Sequence, residues 1–491
     1  MSKHTDAQSL DCALDVFRGH LRNASELVVR LYERLDETRI TPGKTRKEIA
    51  RLFDEPLPEE PQSMESVLNE VESKIFPNST LYLSPRFFGY INSGGNQASI
   101  LGELLASAVN QIVALWHFSP AASEVERRVI QWIAEFIGYS GEAGGCLLSG
   151  GSAGNLVGLA LARKHKAPFD SDSLGMRGGP PLTVYASQEV HASVDKAMTI
   201  LGMGRDQMRK LAVRDDFTMD LDALERQVSK DRDNGCHPIC VVGVAGTTNT
   251  GAVDPLNPLA DFCQAQGLWF HVDAAYGGPA ARTELAGHLF KGLERADSVV
   301  IDPHKWLYVP AEAACILVRE SQALRHTFQV VADYLKKEDE AEADAPFDFK
   351  DCGPQLHRNF RALKVWMTFK AYGAKKLRAA IHSNIEIMRY FADRIDQSED
   401  LVRLAPVPLS IVCFQYCTAD VSRHSDERYL NDLNDRLIDT LERDGRVFVS
   451  GTIIQRKRAL RVCSVNHRLR REDVDFLLQE IRQVGRSLSG L

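Results

Sequence analysis

The stretch Ser298-Val299-Val300-Ile301-Asp302-Pro303-His304-Lys305-Trp306-Leu307 decides how the rest of the chain is read. Its β-branched start has the composition of a buried strand. The strand stops at Asp302-Pro303, because proline has no N–H with which to continue a ladder. Behind the stop stands a lysine between a histidine and a tryptophan. An ammonium in apolar company is destabilised, so its pKa falls and a free amine suited to a Schiff-base bond results. Alone, Lys305 reads more readily as a solvated surface charge, as most lysines are.

A second stretch lies upstream, Leu268-Trp269-Phe270-His271-Val272-Asp273-Ala274-Ala275-Tyr276-Gly277-Gly278. It too reads as a buried strand, ending in an acid and then small residues. Ala and Gly beside a carboxylate leave room for a flat ring and for a positive charge on it. An acid at one strand end and a lysine at the next is the arrangement that pyridoxal phosphate requires, acid to ring nitrogen and lysine to aldehyde.

His-Val-Asp-Ala-Ala-Tyr-Gly-Gly followed by Asp-Pro-His-Lys-Trp-Leu resembles the group II pyridoxal-phosphate-dependent amino-acid decarboxylases, the aromatic-L-amino-acid-decarboxylase-like family. The resemblance runs from about Pro85 to the end of the sequence. It implies an α/β protein of PLP fold type I (aspartate-aminotransferase-like), with a central, mostly parallel sheet. The division it suggests is an N-terminal helical dimerisation segment over residues 1–84, a large cofactor-binding domain over 85–375 and a small α+β domain over 376–491.

The other motifs take their roles from this resemblance. Leu147-Leu148-Ser149-Gly150-Gly151-Ser152-Ala153-Gly154-Asn155 is a Gly/Ser turn before a helical run starting at Leu156. A helix N-terminus with close backbone approach suits a phosphate. By resemblance, the amides of Ala153 and Gly154 and the Ser152 hydroxyl face it. His191, in His-x-Ser-x-x-Lys-Ala, is similar to the residue that stacks on the cofactor ring; read alone, it is a helix cap or a solvated side chain. Thr248 and Ala275 fall near the cofactor, Asp254 is a buried structural acid, and His304 lies near the phosphate. Tyr334 occupies the position of a lid tyrosine that returns a proton to Cα. The acidic run Glu338-Asp339-Glu340-Ala341-Glu342-Ala343-Asp344 behind it has little to bury and reads as a solvated loop. Ile91 and Asn92 line the substrate pocket in the family, and residues 112–116, Trp116 among them, reach the neighbouring subunit's site. That implies an obligate homodimer with shared active sites. His357 stands where aromatic relatives carry Gly or Ser; it either narrows the pocket or faces solvent.

The expected reaction is decarboxylation of an L-amino acid to its amine and CO2, the substrate being aromatic, of the tyrosine, DOPA or tryptophan class. The runner-up is an acidic or diamino acid (glutamate, aspartate, cysteine sulfinate, 2,4-diaminobutyrate), and behind that another fold type I lyase or aminotransferase. A desulfurase would need a reactive thiol on a loop, for which Cys352 is the nearest candidate. A non-catalytic binding protein would have no need to keep Lys305, Asp273, His191 and Tyr334 together.

Composition sets the outer bounds. The chain has 491 residues, 44% hydrophobic and 25% charged, with a net charge of −7, so it lacks the basic footprint of a nucleic-acid binder. No apolar run reaches the ~18 residues of a spanning helix, and Met1-Ser2-Lys3-His4-Thr5-Asp6 has no signal-peptide core. Ten scattered cysteines suit reduced thiols and a cytoplasmic location. The pairs Cys236/Cys240 and Cys413/Cys417 sit in strand-like runs without zinc-site spacing, so no metal is expected.

Overall fold

The computed structural model describes residues 10–330, 348–418 and 426–490. Its centre is a seven-stranded sheet of β1 (Gly144–Leu148), β2 (Leu182–Ser187), β3 (Met208–Leu211), β4 (His237–Val244), β5 (Trp269–Asp273), β6 (Ser298–Ile301) and β7 (Ala314–Val318). The spatial order is β1-β7-β6-β5-β4-β2-β3. β7 runs antiparallel to its two neighbours, and every other pair is parallel. Parallel sheets carry helices on both faces, so their strands are apolar throughout rather than alternating. Val299, Val300 and Ile301 are accordingly all fully buried.

The helices that matter for the site are α1 (Leu14–Glu33), α2 (Gln97–Val109), α3 (Pro120–Ile137), α4 (Gly151–Lys166), α5 (Ala192–Ile200), α6 (Ala362–Asp396), α7 (Glu427–Asp444) and α8 (Arg471–Ser489). α4 follows β1 at once and lies against the sheet at close range. A Cβ on Gly154 would come within 2.7 Å of Val300 Cγ1, and one on Gly158 within 2.3 Å of His271 Cε1. The Gly/Ser segment expected to be a turn is therefore the first turn of the helix itself, with its small residues facing the sheet.

A second sheet, β10-β11-β9-β8, is antiparallel throughout; its strands are β8 (Leu401–Arg403), β9 (Ile411–Tyr416), β10 (Ser450–Ile454) and β11 (Lys457–Cys463). Leu433, Leu437 and Leu441 of α7 and Leu477 and Ile481 of α8 join Phe391 and Phe414 in a core of its own. β8 and β10 were not foreseen. Each is short and partly bare, with Val402 and Ile453 exposed, so neither shows a buried run.

The cations of Arg-x-x-Arg-x-Leu-Lys join separate elements. Arg358, buried, pairs with buried Glu126 of α3 and donates to the Val113 and Leu147 carbonyls at 2.9 and 2.7 Å. Arg361 reaches Glu312 at 2.8 Å and Lys364 reaches Glu103 of α2 at 2.9 Å. A long helix starts just behind the two arginines at Ala362 and is interrupted at Gly373, whose φ of 71° no L side chain adopts easily.

At the N-terminus α1 is held by an Arg30–Glu72 pair at 2.8 Å, but only Leu27 of its apolar stripe is buried. Leu14, Phe17 and Leu21 stay exposed, as do Leu101, Leu104 and Leu105 of α2. Among the described residues no helix is long and apolar enough to cross a membrane.

Candidate active site

β5 and β6 are parallel neighbours, so Asp273 and Asp302 emerge together at the carboxyl edge of the sheet, where ligands of such sheets bind. Pro303 then opens a single helical turn, Pro303–Trp306, which brings His304 and Lys305 back over that edge. Trp306 anchors the turn from below: it is fully buried, stacks on Tyr276 at 5.0 Å and donates to Asn384 Oδ1 at 3.1 Å.

Lys305 Nζ lies 2.8 Å from Asp302 Oδ2. The expectation of a depressed lysine pKa is overturned here. Burial does push it down, but the Asp302 charge and hydrogen bond, with Asp273 adding its own charge, carry the net shift upward. The reading weighed only the flanking histidine and tryptophan, whereas the partner is three residues back on the same turn. The other Asp302 oxygen is buried without a partner, and the carboxylate lies against the first residue of α4, a favourable place for an anion at a helix N-terminus.

A cleft of about 370 Å³ opens between Lys305, Asp273 and the start of α4. Ser152, Thr248, Ala275, His304 and His191 line it, as expected. Ala153 and Gly154, expected there too, are not among the residues that line it. Their amides donate to the Gly150 carbonyl at 2.9 and 3.1 Å, and Gly154 is turned toward Val300. Because the helix begins at Gly151, those N–H groups are used within its first turn. The orphan donors lie upstream, at Gly151 and Ser152.

Asp273 Oδ2 accepts from Asn155 Nδ2 at 2.8 Å and Oδ1 from the Ala275 amide at 3.2 Å. His304 Nδ1 sits 2.6 Å from the Ala313 carbonyl, which aims Nε2 at Asp302, 3.7 Å away. His191 is exposed at the N-cap of α5, where its Nδ1 accepts the Ser193 amide at 3.2 Å. It is therefore a cap and a cleft residue at once. Asp254, buried, accepts the Val244 and Met219 amides at 2.8 Å each and pins the loop that carries Thr248; burial raises its pKa to about 6 against those two bonds.

A wider cleft of about 550 Å³ shares His191, Thr248 and Lys305 with the first and runs outward past Ile91 and Asn92. It also holds residues that the sequence reading missed. Arg461 of β11 is buried; its Nε donates to the Thr248 carbonyl at 2.7 Å, its Nη1 reaches the Tyr90 carbonyl at 3.3 Å, and its Nη2 has no partner. Glu189 keeps a buried, unpartnered oxygen there, and burial raises its pKa against a hydrogen bond from Asn249. The available signal for Arg461 was a charge inside the apolar run Ala459-Leu460-Arg461-Val462-Cys463.

Trp116 and His357 line neither cleft. The Trp116 indole donates to Glu124 at 3.2 Å on the surface, and His357 is exposed. Tyr334 and the acidic run behind it lie outside the described residues. Cys352 is fully buried and its thiol pKa is pushed well up by burial, which disqualifies it as a reactive loop cysteine. Among the described residues no His/Cys/Asp/Glu cluster gathers in metal-ligating range.

The donor set fits pyridoxal phosphate: a helix N-terminus with hydroxyls for the phosphate, a carboxylate for the ring nitrogen, a lysine for the aldehyde and room for a flat ring between them. Comparison with known proteins agrees. The family model "Pyridoxal-dependent decarboxylase conserved domain" matches residues 42–417. The aromatic-L-amino-acid decarboxylase of Bacillus atrophaeus is 32% identical over 435 residues, 89% of this chain and 88% of that protein. A phenylacetaldehyde synthase of Petunia hybrida is 31% identical over 418 residues, covering 83% of this chain and 82% of that one. The crystal structure of Oryza sativa TDC with PLP and tryptamine superposes with a TM-score of 0.91 at 28% identity, covering 98% of this chain and 99% of that one. The chain belongs to the pyridoxal-dependent decarboxylases and is a PLP-dependent enzyme that decarboxylates an amino acid.

Proposed function

We propose that the substrate is an aromatic L-amino acid of the tyrosine, DOPA or tryptophan class, converted to its amine and CO2. Within the molecule, the supporting observation is Arg461. Arg461 lines the same cleft as Lys305 and His191, and its buried Nη2 has no partner, so its guanidinium is the cation nearest to hand for the substrate carboxylate, while Ile91 and Tyr90 supply apolar wall beyond it. The aromatic relative at 32% identity supports the choice of side chain.

Bound pyridoxal phosphate supplies an electron sink for the pair left on Cα when CO2 departs. Lys305 would hold its aldehyde. Asp273 holds the positive ring nitrogen, a charge-assisted bond worth about 1.5–3 kcal/mol. Gly151 and Ser152 take the phosphate at the head of α4, with His304 beside it. His191 would cover the ring face, Ala275 would leave room for it, and Thr248, in both clefts, would face cofactor and substrate. Tyr334 returns the proton to Cα.

A second copy of the chain covers the bare apolar faces of α1 and α2, whose exposed leucines are more than an isolated chain leaves in water. Trp116 and His357, outside this chain's clefts, then belong to the contact between copies. The unpaired state of all ten cysteines supports a reducing, cytoplasmic location. The division at residues 84 and 375 separates the dimerising helices, the cofactor-binding sheet and the smaller sheet.

The test is CO2 release from each of twenty amino acids plus DOPA and 2,4-diaminobutyrate. Tyrosine, DOPA or tryptophan should lead; preference for an acidic or diamino acid overturns the assignment. Borohydride trapping with peptide mapping should place the cofactor on Lys305 and on no other residue.

A further inference from the structure

We propose that Asn155 and the Ser193 it donates to together set the proton pattern of the cofactor cleft, fixing Asp273 as a bare acceptor on one side and His191 as its Nε2–H tautomer on the other. The inference uses the cofactor reading only for what this pattern serves; the hydrogen bonds lie wholly within the chain.

The directions follow from which atoms can donate. Asp273 Oδ2 is 2.8 Å from the Asn155 amide, and two acceptors cannot meet there, so the NH2 end must face the carboxylate. The same NH2 group lies 2.8 Å from Ser193 Oγ and gives it the second proton. Ser193 then spends its own hydroxyl proton on His191 Nδ1, 2.8 Å away. A second contact forces the same answer, because the Ser193 backbone N–H also points at Nδ1, from 3.2 Å. With Nδ1 an acceptor twice over, a neutral His191 carries its proton on Nε2.

The orientation of Asn155 is guarded from behind. Its Oδ1 lies 3.0 Å from His271 Nε2, which must donate. His271 Nδ1 therefore accepts from the Ser298 hydroxyl at 2.8 Å, and Ser298 Oγ takes the Trp269 indole proton at 2.9 Å. Every donor in this row is used once, in one direction. Burial keeps the His271 imidazole pKa below its usual range despite the nearby Asp273 charge, so the ring stays neutral and can play both parts. Asn155 and His271 are positioning residues, both almost fully buried.

Ring-nitrogen NMR of protein labelled with ¹⁵N-histidine, at a pH where the ring is neutral, reads the tautomer directly; loss of the signal in His191→Gln assigns it. Wild type should show Nε2–H. Asn155→Leu should keep Nε2–H, because the Ser193 amide still faces Nδ1, and bind pyridoxal phosphate about ten- to a hundredfold more weakly, the range expected when a buried acceptor loses its donor. An Nδ1–H tautomer in wild type overturns the proposal without recourse to any variant. So does a folded Asn155→Leu protein with unchanged affinity. These readouts do not involve substrate, so a wrong substrate assignment and a wrong proton pattern fail separately.

Discussion

Gly158→Ala sets two effects of opposite sign against each other. In an open helix interior the change gains about 1 kcal/mol from helix propensity. At position 158 the new Cβ would stand 2.3 Å from His271 Cε1 and 2.5 Å from Nδ1. That is more than an ångström inside the ~3.5–4.0 Å of a relaxed carbon contact. The imidazole cannot turn aside cheaply, because both of its nitrogens are bonded and the ring is fully buried. Overpacking costs about 1–3 kcal/mol. A displaced ring also leaves Asn155 Oδ1 without its donor, another 1–3 kcal/mol or so. The net expectation is a loss of about 1–5 kcal/mol, with weaker cofactor loading although residue 158 lies outside both clefts. Gly19→Ala in α1 is the control, since nothing lies within 4 Å of a Cβ there. Urea titration of both variants, with pyridoxal phosphate uptake followed by absorbance, makes the comparison. A Gly158→Ala protein with a midpoint as high as wild type and full cofactor affinity would refute the reasoning.

Three further outcomes are expected. Arg358→Met leaves the Glu126 carboxylate buried without its cation and should cost about 3–5 kcal/mol in chemical denaturation; Glu126→Leu added to it should recover much of that, and a single-variant loss below about 1 kcal/mol would count against the pair. Asp254, raised from 3.8 to about 6, keeps in the folded chain a proton that the unfolded chain has lost, so stability falls as pH rises through that window, by about 3 kcal/mol in all. In Asp254→Asn that part of the pH slope should vanish from denaturation midpoints, while an NH2 group facing the Val244 or Met219 amide costs about 1–3 kcal/mol at every pH. Tyr334→Phe keeps the ring but loses the proton; its product should turn from amine toward aldehyde formed with oxygen, and an unchanged amine yield excludes Tyr334 as the donor.

The parts of the site that were legible in sequence are those set by the chain's immediate neighbourhood. Val299-Val300-Ile301 announces a strand buried on both faces, and Pro303 announces its end; Asp273 and Lys305 were found because each closes such a strand. What escaped depends on groups that meet only after folding. Asp302 reads as a strand terminator, and nothing beside it shows that one oxygen will hold Lys305. Asn155 looked like one more helix-start residue, although it touches Asp273, 118 residues away. Arg461 comes from the second sheet and reaches carbonyls at residues 90 and 248, so its function depends on how two sheets meet. The free amides at the head of α4 lie two residues before those the motif suggested, because serine and glycine favour turns in general, while here they begin the helix and let it settle on the sheet.

The Lys305–Asp302 contact bears on the reactivity of the lysine amine. A charged ammonium has no lone pair to offer, so a lysine held in this way is a poor target for stray aldehydes and acylating agents. Capture must begin by moving a proton off Nζ, and the carboxylate that holds the charge is the nearest group able to receive it. The aspartate thus sheltering the amine at rest is also the one best placed to release it for use.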